Sequence, residues 1–458
     1  MVSDNSKLHP GLKVLVLGLA KSGEAVAKLL IRHGVAVVVN ERHVREKVEE
    51  AVHELEELGV ECICGNHPTE LLDRHFDFIV KNPGIPYTLP ILIDAAARKI
   101  PIYTEIEVAS WITVAPIYAI TGSNGKTTTT TLVGEILSSE GKSPVVAGNI
   151  GTVLSGVVEK VDEKRPIVLE VSSFQLMGTK EFHPRIAAML NLYQAHLDYH
   201  GSMEAYADAK WSMFQNMNKA DFAVLNYDQS SIREKANQLA ANVVWFSTKN
   251  PEIPEGVFIK DEQIVVMRNG IQTSIMNREM IALKGAHNLE NALAAAAISI
   301  WAGTSVHKVR EVLSEFRGVE HRTEYVRTIH EVDYYNDSKA TNAQAALGAL
   351  RGFSGQIVWI AGGLDRGVDF QNMKDDIRSH VKAAVLLGQS ADKLELVCKE
   401  AQVQTIQHAN SIEEAVQKAH DIAEAGDTVL LSPACASWDM FHSFEERGCM
   451  FKDAVHKL

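Results

Sequence analysis

The sequence predicts an α/β protein with three domains, each built around a mostly parallel sheet. Short apolar runs alternate with segments of helical periodicity along the whole chain, which is typical of β-α-β units. Loops rich in Gly, Ser and Lys follow many of the apolar runs. The chain has 458 residues, and a domain commonly has about 150. We therefore expect domains over residues 1–107, 108–318 and 319–458.

The composition argues against several classes of protein. The net charge is −13 at pH 7, which disfavours non-specific binding to nucleic acid. No run approaches the roughly 18 consecutive apolar residues of a membrane span, and residues 1–13 lack the apolar core of a signal peptide. The five cysteines are an odd number, which favours reduced thiols. We expect a cytoplasmic protein with no nucleic-acid partner and no membrane span.

The first domain begins with a βαβ pattern of the Rossmann type. An apolar strand, a short turn, a helix and a second apolar strand follow one another over residues 13–39. Gly18 and Gly23 alone leave two interpretations open, a nucleotide pocket or a tight turn. Polar residues follow two of the strands, at 40–42 and 81–85. They would lie at the sheet edge where ligands bind in such folds.

The central domain opens with a phosphate-binding loop. Residues 117–120 form an apolar strand, and the segment Thr-Gly-Ser-Asn-Gly-Lys-Thr at 121–127 leads into a helical pattern. Glycines let successive backbone N–H groups point at phosphate oxygens. Lys126 can reach the terminal phosphates, and the Thr127 hydroxyl can bind magnesium. The alternative is a Gly-rich turn before a helix. We expect the preceding residues 103–115 to be a linker.

Several side chains of the central domain can bind metal. Glu170 lies in an otherwise apolar strand, where a carboxylate is costly unless it is paired or binds metal. Magnesium is one partner for it, and a buried Arg or Lys is the alternative. His196 and His200 follow another strand and could bind a metal or cap the next helix. Lys210 lies in a helix beside apolar residues and could simply extend its ammonium to solvent.

Two asparagines begin an Ala-rich helix further along the chain. Asn288 and Asn291 are three residues apart and face the same side of that helix. Both could contact a purine or a ribose. Asn288 could instead be the N-cap of the helix.

The last domain repeats the strand–loop–helix unit, which predicts a second Rossmann-like, doubly wound sheet. The run Asp-Ser-Lys-Ala-Thr at 337–341 follows a strand and precedes an Ala-rich helix, a place that favours anions. Polar loops also follow later strands, around Arg366 and over 432–441. The alternative is that these loops are ordinary connections.

Taken together and in order, these motifs resemble those of the Mur ligases. They lie at residues 121–127, 148–151, 170–175, 196–198, 210, 287–291, 321–322 and 336–342. The segments 337–342 and 432–448 are most similar to the family member that uses D-glutamate. Trp438 and Arg366 differ from the commoner residues at their positions.

The resemblance implies an ATP-dependent ligase of peptidoglycan precursor synthesis. ATP and two Mg²⁺ ions would be the cofactors, and UDP-N-acetylmuramoyl-L-alanine and D-glutamate the substrates. The alanyl carboxylate would form an acyl phosphate with ATP, and the amine of D-glutamate would then displace phosphate. We expect a monomer.

The resemblance also implies a role for each site residue. Catalysis would depend on Lys126, Glu170, His196 and Lys210, and the metal ligands would be Thr127, Glu170, His196 and Lys210, with Lys210 carbamylated. ATP would be held by Gly122, Ser123, Asn124, Gly125, Lys126, Thr127, Thr128, Asn288, Asn291, Arg322 and Asp337. The UDP-sugar substrate would contact Leu19, Ala20, Glu41, Arg42, Asn82, Gly84, Asn149 and His196. D-Glutamate would contact Lys339, Thr341, Arg366, Ser437 and Phe444.

Other functions fit parts of the sequence. A folylpolyglutamate-synthase-like ligase shares the loop and the acyl phosphate, but such enzymes start near the phosphate loop. A nucleotide-sensing protein would bind the UDP-sugar without turnover, whereas Glu170, His196 and Lys210 together favour turnover. A dehydrogenase is disfavoured because the glycine fingerprint of Gly18 and Gly23 is incomplete.

Overall fold

The protein contains three sheets in a three-domain α/β arrangement, which confirms the expected fold class. The chain separates into two compact units, Met1–Met280 with Glu290–Ser314, and Ile281–Leu289 with Glu315–Leu458. The first two sheets belong to the first unit, and the third sheet belongs to the second. The computed structural model describes residues 7–149, 152–283, 285–353 and 355–458.

The first sheet has five parallel strands in the order β3-β2-β1-β4-β5. The strand order reverses between β1 and β4, so their carboxyl ends leave the crevice where such sheets bind ligands. The strands are Lys13–Leu17 (β1), Ala36–Glu41 (β2), Glu61–Cys64 (β3), Phe78–Lys81 (β4) and Ile102–Tyr103 (β5), and the helices are Lys21–Arg32 (α1), Glu49–Glu57 (α2), Pro90–Ala97 (α3) and Glu105–Ser110 (α4).

Helix α1 packs on this sheet through a stripe of apolar residues. Val26 and Leu30 are fully buried in one apolar cluster with Val14 and Val16 of β1, and their spacing of four residues places them on one helix face. Gly23 allows the close approach of the helix to the turn, because a Cβ there would lie 1.9 Å from the carbonyl oxygen of Gly18. Gly18 and Gly23 therefore allow a tight turn between β1 and α1, at the sheet edge where such folds bind ligands.

The central sheet has nine strands in the order β14-β13-β12-β11-β10-β9-β6-β8-β7. Strands β6 to β12 pair in parallel, and β13 and β14 add an antiparallel edge. The strands are Ile117–Thr121 (β6), Val145–Gly148 (β7), Ile167–Glu170 (β8), Ile186–Met189 (β9), Phe222–Asn226 (β10), Asn242–Ser247 (β11), Gly256–Lys260 (β12), Gln263–Arg268 (β13) and Ile271–Asn277 (β14). The helices are Lys126–Ser139 (α5), Ser173–Leu176 (α6), Leu197–His200 (α7), Met203–Trp211 (α8), Ser230–Ala236 (α9), Ala286–Trp301 (α10) and Val306–Glu315 (α11).

The segment expected to be a linker over residues 103–115 contains the buried helix α4, so that expectation was wrong. The side chains of Glu105 and Glu107 are buried, which is tolerated because both carboxylates accept hydrogen bonds. Glu107 accepts from the backbone N–H groups of residues 180–182 and from the Trp111 indole, at 2.8 to 3.1 Å. Helix α4 thereby joins the first sheet firmly to the central one, and the boundary expected after residue 107 falls inside it.

The third sheet has six strands in the order β15-β16-β20-β17-β18-β19. All its pairings are parallel except β15 with β16, as in a doubly wound sheet. The strands are Glu324–Ile329 (β15), Val332–Asn336 (β16), Ile357–Gly362 (β17), Val381–Leu387 (β18), Thr405–Ala409 (β19) and Thr428–Leu431 (β20), and the helices are Ala343–Leu350 (α12), Lys374–His380 (α13), Ala391–Glu400 (α14), Ile412–Ile422 (α15) and Phe444–Lys457 (α16).

All five cysteines are free thiols. Cys62 and Cys64 lie on β3. In the described part of the chain, no helix combines the length and the apolar character needed to cross a membrane.

Candidate active site

The glycine-rich loop joins β6 to α5 as the sequence predicts. Gly125 has φ +80°, a left-handed conformation that favours glycine, and a Cβ there would lie 2.0 Å from the Asn291 side-chain oxygen. The loop is also held by Asn191, which follows β9. The Asn191 side-chain oxygen accepts from the Asn124 N–H at 2.8 Å, and its backbone carbonyl accepts from the Ser123 N–H at 3.0 Å. The loop is therefore fixed before any phosphate arrives.

Two lysines share one carbonyl of this loop. Lys126 Nζ donates to the carbonyls of Gly122 and Ser123, both at 2.9 Å. Lys210 Nζ also donates to the Gly122 carbonyl, at 2.9 Å, and to Thr121 Oγ1 at 3.3 Å. Two lysine Nζ atoms thus share one acceptor at the place where a nucleotide phosphate would bind.

Lys210 is 1% exposed, so the expectation that it could extend to solvent is wrong. Burial, followed by the nearby Lys126 charge, lowers the pKa of Lys210 well below its ordinary value. The Lys210 ammonium lies 4.8 Å from the centroid of the Tyr206 ring, and Tyr206 Oη lies 3.0 Å from Ser123 Oγ. Tyr206 therefore joins the loop to Lys210, one helical turn away on α8.

Glu170 is the last residue of β8 and lies beside Thr127, the second residue of α5. It is 1% exposed. Its Oε2 accepts from the Thr127 hydroxyl at 2.7 Å, and its Oε1 accepts from the Asn149 amide at 3.1 Å. The side-chain hydrogen bonds described for Glu170 thus come from neutral groups, while the buried Lys210 of the alternative interpretation interacts with it electrostatically. A carboxylate and a hydroxyl beside a phosphate loop are oxygen donors of the type Mg²⁺ prefers, so these residues fit that ion.

His196 occupies the N-cap position of α7 with φ 55° and makes no side-chain capping hydrogen bond. Its ring packs edge-on against Phe174, with 5.0 Å between centroids, and lies 6.2 Å from the Tyr206 ring. Tyr206 thus contacts both His196 and Lys210. His200 is buried and its Nε2 lies 3.0 Å from the Ser173 hydroxyl, which gives it a structural partner.

Of the four residues expected to hold adenine and ribose, Asn288, Asn291 and Asp337 are buried, and Arg322 is half-buried. Asn288 lies inside α10, which begins at Ala286, so it is not the N-cap residue. Asn291 Oδ1 lies 3.4 Å from Thr129 Oγ1 of α5 and reaches Gly125. Asp337 Oδ2 accepts from Ser432 Oγ at 2.8 Å, and burial raises the pKa of Asp337 to about 7 despite this bond.

The first sheet places its expected substrate residues around the β1–β4 crevice. Glu41 Oε2 accepts from the Leu19 N–H at 2.6 Å. Burial alone would raise the pKa of Glu41, but this bond and those from His43 outweigh it and lower the pKa. Asn82 donates to Ser22 Oγ at 3.1 Å and accepts from the Gly84 N–H at 3.2 Å. Ala20 and Arg42 lie exposed on the neighbouring turns.

A small cavity in the third domain is lined by four of the five residues expected to bind D-glutamate, and the fifth, Lys339, lies beside it. Its volume is about 310 Å³. Lys339 Nζ lies 5.0 Å from the ring centroid of Phe444, and the Arg366 guanidinium lies 4.9 Å from the ring centroid of Trp438. Two cations beside a cavity of this size suit a small dicarboxylate. The lining residues are Thr341, Arg366, Ala436, Ser437, Trp438, Ser443, Phe444 and Glu445.

Arg447 supports this cavity, and sequence reasoning gave it no role. Its buried guanidinium donates to Ser338 Oγ at 3.0 Å, to the Ser338 carbonyl at 2.8 Å and to the Cys435 carbonyl at 3.2 Å. Burial lowers the pKa of Arg447 to about 10, which leaves it charged. Arg447 therefore ties the loop after β16 to the loop after β20.

Three further residues, Asn191, Tyr206 and Thr129, were also missed by sequence reasoning. Only Tyr206 had a usable signal, its position four residues before Lys210 on one helix.

A fixed phosphate loop, with a buried carboxylate and a buried lysine at the edge of a parallel sheet, defines an α/β enzyme that acts on nucleotide phosphates. Three family models match the chain: the Mur ligase MurD-like N-terminal domain over residues 12–104, the Mur ligase middle domain over 120–299 and the Mur ligase glutamate ligase domain over 321–435. The chain belongs to the Mur ligase family, and is thus an ATP-dependent ligase that forms amide bonds.

Relatives match almost the whole chain. A UDP-N-acetylmuramoylalanine--D-glutamate ligase of Geobacillus sp. (strain WCH70) is 46% identical over 97% of this chain and 98% of its own length. The protein of the same name from Shouchella clausii (strain KSM-K16) is 47% identical over 98% of this chain and 97% of its own length.

Solved structures share the fold at low sequence identity. The UDP-N-acetylmuramate-alanine ligase MurC of Thermotoga maritima has a TM-score of 0.54, with 19% identity over 97% of this chain and 99% of that one. The MurF ligase of Thermotoga maritima in complex with ADP has a TM-score of 0.56, with 16% identity over 99% of this chain and 97% of that one.

Proposed function

We propose that the chain joins D-glutamate to UDP-N-acetylmuramoyl-L-alanine with the cleavage of ATP to ADP and phosphate. The observation that carries this proposal is the near full-length similarity to relatives named for that reaction, at 46% and 47% identity. The cavity beside Lys339 and Arg366 supports an acidic amino acid as the acceptor.

The reaction needs activation of a carboxylate, because its leaving group would otherwise be oxide. The alanyl carboxylate oxygen attacks the γ-phosphorus of ATP, the bond to the β-γ bridging oxygen breaks, and ADP leaves. The D-glutamate nitrogen then attacks the carbonyl carbon of the acyl phosphate, loses a proton and expels phosphate. Both steps bring anions together, so catalysis depends on positioning and on positive charge more than on a protein nucleophile.

The residues of the phosphate loop supply that charge. The loop N–H groups and Lys126 would bind the β- and γ-phosphates of ATP, together with the neighbouring Thr128. Thr127 and Glu170 would hold a Mg²⁺ ion, which when bound screens the repulsion between carboxylate and phosphate. Asn288, Asn291, Arg322 and Asp337 would contact adenine and ribose.

We further propose a second Mg²⁺ ion near His196 and Lys210, with Lys210 as a carbamate. Carbon dioxide reacts with a neutral amine, and the buried Lys210 beside Lys126 loses its proton readily. A carbamate would turn a cation into an oxygen ligand at this position. The Tyr206 ring contacts both side chains and would orient them.

The two substrates would bind at the edges of the outer domains. Leu19, Ala20, Glu41, Arg42, Asn82 and Gly84 would hold the UDP end, and Asn149 and His196 would help to hold its diphosphate and the sugar. Lys339, Thr341, Arg366, Ser437 and Phe444 would hold D-glutamate. We propose that the enzyme acts as a monomer in the cytoplasm, where ATP is available.

The test is formation of ADP by the purified chain when each component is omitted in turn. We expect ADP only when ATP, Mg²⁺, UDP-N-acetylmuramoyl-L-alanine and D-glutamate are all present. Tight binding of the UDP-sugar without any ADP formation would favour a sensor and overturn the proposal. ADP formation with a folate acceptor in place of the UDP-sugar would favour a folylpolyglutamate-synthase-like ligase.

A further inference from the structure

Lys81 is a buried cation that the reaction described above leaves without a role. It ends β4, pairs in register with Leu17 of β1, and is 1% exposed. Its Nζ lies 3.3 Å from the Asn82 carbonyl, 3.2 Å from the Pro83 carbonyl and 3.4 Å from Tyr199 Oη. In the part of the chain that the structure describes, no carboxylate pairs with it.

Among the described residues, no ionised group compensates the positive charge of Lys81. Burial lowers the pKa of Lys81 to about 7. The titratable groups that face it are Tyr87, whose ring centroid lies 4.6 Å from Nζ, and Tyr199. Burial raises the pKa of Tyr199 to about 12 and raises that of Tyr87 as well, so both are neutral near pH 7. An apolar side chain would fill this position at a lower cost in stability.

Lys81 lies directly beneath the turn that carries two of the expected substrate contacts. The turn runs from Asn82 to Ile85, at the β1–β4 switch point where ligands bind. Lys81 holds the carbonyls of Asn82 and Pro83, and Tyr199 Oη donates to the Ile85 carbonyl at 2.9 Å. The two side chains therefore fix the turn at both ends.

We propose that Lys81 is a positioning residue for the UDP-sugar substrate, fixing the 82–85 turn and placing a positive charge beneath the diphosphate. The inference rests on the proposed function, because it takes that diphosphate as the missing anion. An anion near the amine favours its protonated form. Substrate binding above neutral pH therefore takes up a proton at Lys81.

The test compares wild type with Lys81→Met by calorimetric titration of UDP-N-acetylmuramoyl-L-alanine at pH 8 in two buffers of different ionisation enthalpy. We expect Lys81→Met to bind about tenfold more weakly and to lose the proton uptake that wild type shows. Its Tm stays equal or rises, and its affinity for a non-hydrolysable ATP analogue stays unchanged.

Lys142→Met is the matched control. Lys142 is a half-buried lysine whose Nζ donates to the Ala302 carbonyl, and burial lowers its pKa too. It follows α5, at the end of that helix opposite the phosphate loop. We expect wild-type affinity and wild-type proton uptake for this variant.

Tyr199→Phe keeps the inference testable if Lys81→Met does not fold. It removes the hydroxyl that holds Ile85, so binding of the UDP-sugar should weaken about threefold with proton uptake intact. Equal affinity and equal proton uptake in Lys81→Met and wild type would overturn the inference while leaving the proposed function standing. A lower Tm with weaker binding of both nucleotides would show a purely structural role. No binding of the UDP-sugar by wild type would overturn both proposals.

Discussion

Lys210 and Lys126 both donate to the Gly122 carbonyl, and this shared acceptor explains much of the site. Like charges that share an acceptor repel, and the more buried lysine is the one that gives up its proton. Lys210 is 1% exposed and has a lowered pKa, which is why we assign the proposed carbamate to it. Lys126 lies beside the loop carbonyls, where we propose that it binds phosphate.

At Lys210 we predict a dependence of turnover on carbon dioxide. Lys210→Met should lower kcat by at least about 100-fold, because a metal ligand is lost, and wild type assayed in CO₂-depleted buffer should lose activity that bicarbonate restores. Steady-state phosphate release measures both effects. Lys235→Met, which removes a lysine paired with Asp208 on the neighbouring helix, is the control. Full wild-type activity without CO₂ would contradict the carbamate.

Arg366 should determine affinity for the acceptor. Replacing it by Gln removes the guanidinium held over Trp438 and should raise KM for D-glutamate about tenfold or more, while KM for ATP stays within about twofold. Arg378→Gln changes an exposed arginine of the same domain and should behave as wild type. An unchanged KM for D-glutamate in Arg366→Gln would remove this residue from the binding cavity.

The positions of the residues to which we assign the chemistry could be predicted where these residues belong to local motifs. Lys126, Thr127 and Glu170 lie at strand–helix junctions that the sequence marks with Gly and with apolar runs. Asn191 and Arg447 could not be predicted, because their roles arise from contacts between segments that are distant in the sequence. No local pattern distinguishes them from ordinary polar residues.

At the scale of single elements, helix α4 shows that sequence reasoning can miss buried acidic residues. The segment was expected to be a linker, but Glu105 and Glu107 are buried and accept hydrogen bonds from other segments. Ser155 donates its backbone N–H to Glu105 at 3.1 Å. Only the tertiary structure supplies such donors, so the sequence alone did not predict that this segment is buried.

The pH dependence of stability should be altered by Glu105→Gln. Burial raises the pKa of Glu105 to about 7, so the folded state binds more protons than the unfolded state above about pH 4.5. Protonated Glu105 contributes this stability in full below about pH 4.5, and the contribution is lost as the pH rises through about 7. The variant stays neutral, so its stability relative to wild type should rise by on the order of 1 to 3 kcal/mol between pH 4 and 8.

Calorimetric Tm values of both proteins at the two pH values measure this effect. The difference between variant and wild type cancels the similar contribution of Asp337. Glu107→Gln is the contrasting control: its amide would point N–H groups at N–H donors, so it should lower the Tm at both pH values. A constant difference between Glu105→Gln and wild type across this range would contradict the assignment.

At the scale of the whole molecule, the sequence predicted three α/β domains in the right order, because strand–loop–helix units are local and repeat. It did not predict the division into two compact units, because that depends on the buried contacts of α4. It also did not predict that residues 281–289 belong with the last unit.

The two units should unfold separately. We predict two calorimetric transitions, since chains with several compact units often depart from two-state unfolding. UDP-N-acetylmuramoyl-L-alanine at about 100 times its Kd should stabilise the first unit by about 2.7 kcal/mol and shift its transition upwards. A single transition that moves as a whole with this ligand would show instead that the units unfold together.

The most direct test of the central claim is phosphate release with ATP, Mg²⁺ and UDP-N-acetylmuramoyl-L-alanine while the acceptor amino acid is varied. D-Glutamate, L-glutamate and a diamino acid are supplied in separate reactions. The cations Arg366 and Lys339 beside the cavity predict no release above background with the diamino acid, and the similarity to relatives named for D-glutamate predicts release with D-glutamate and not with L-glutamate. Release with the diamino acid but not with D-glutamate would contradict the account and assign the chain to a different member of the family.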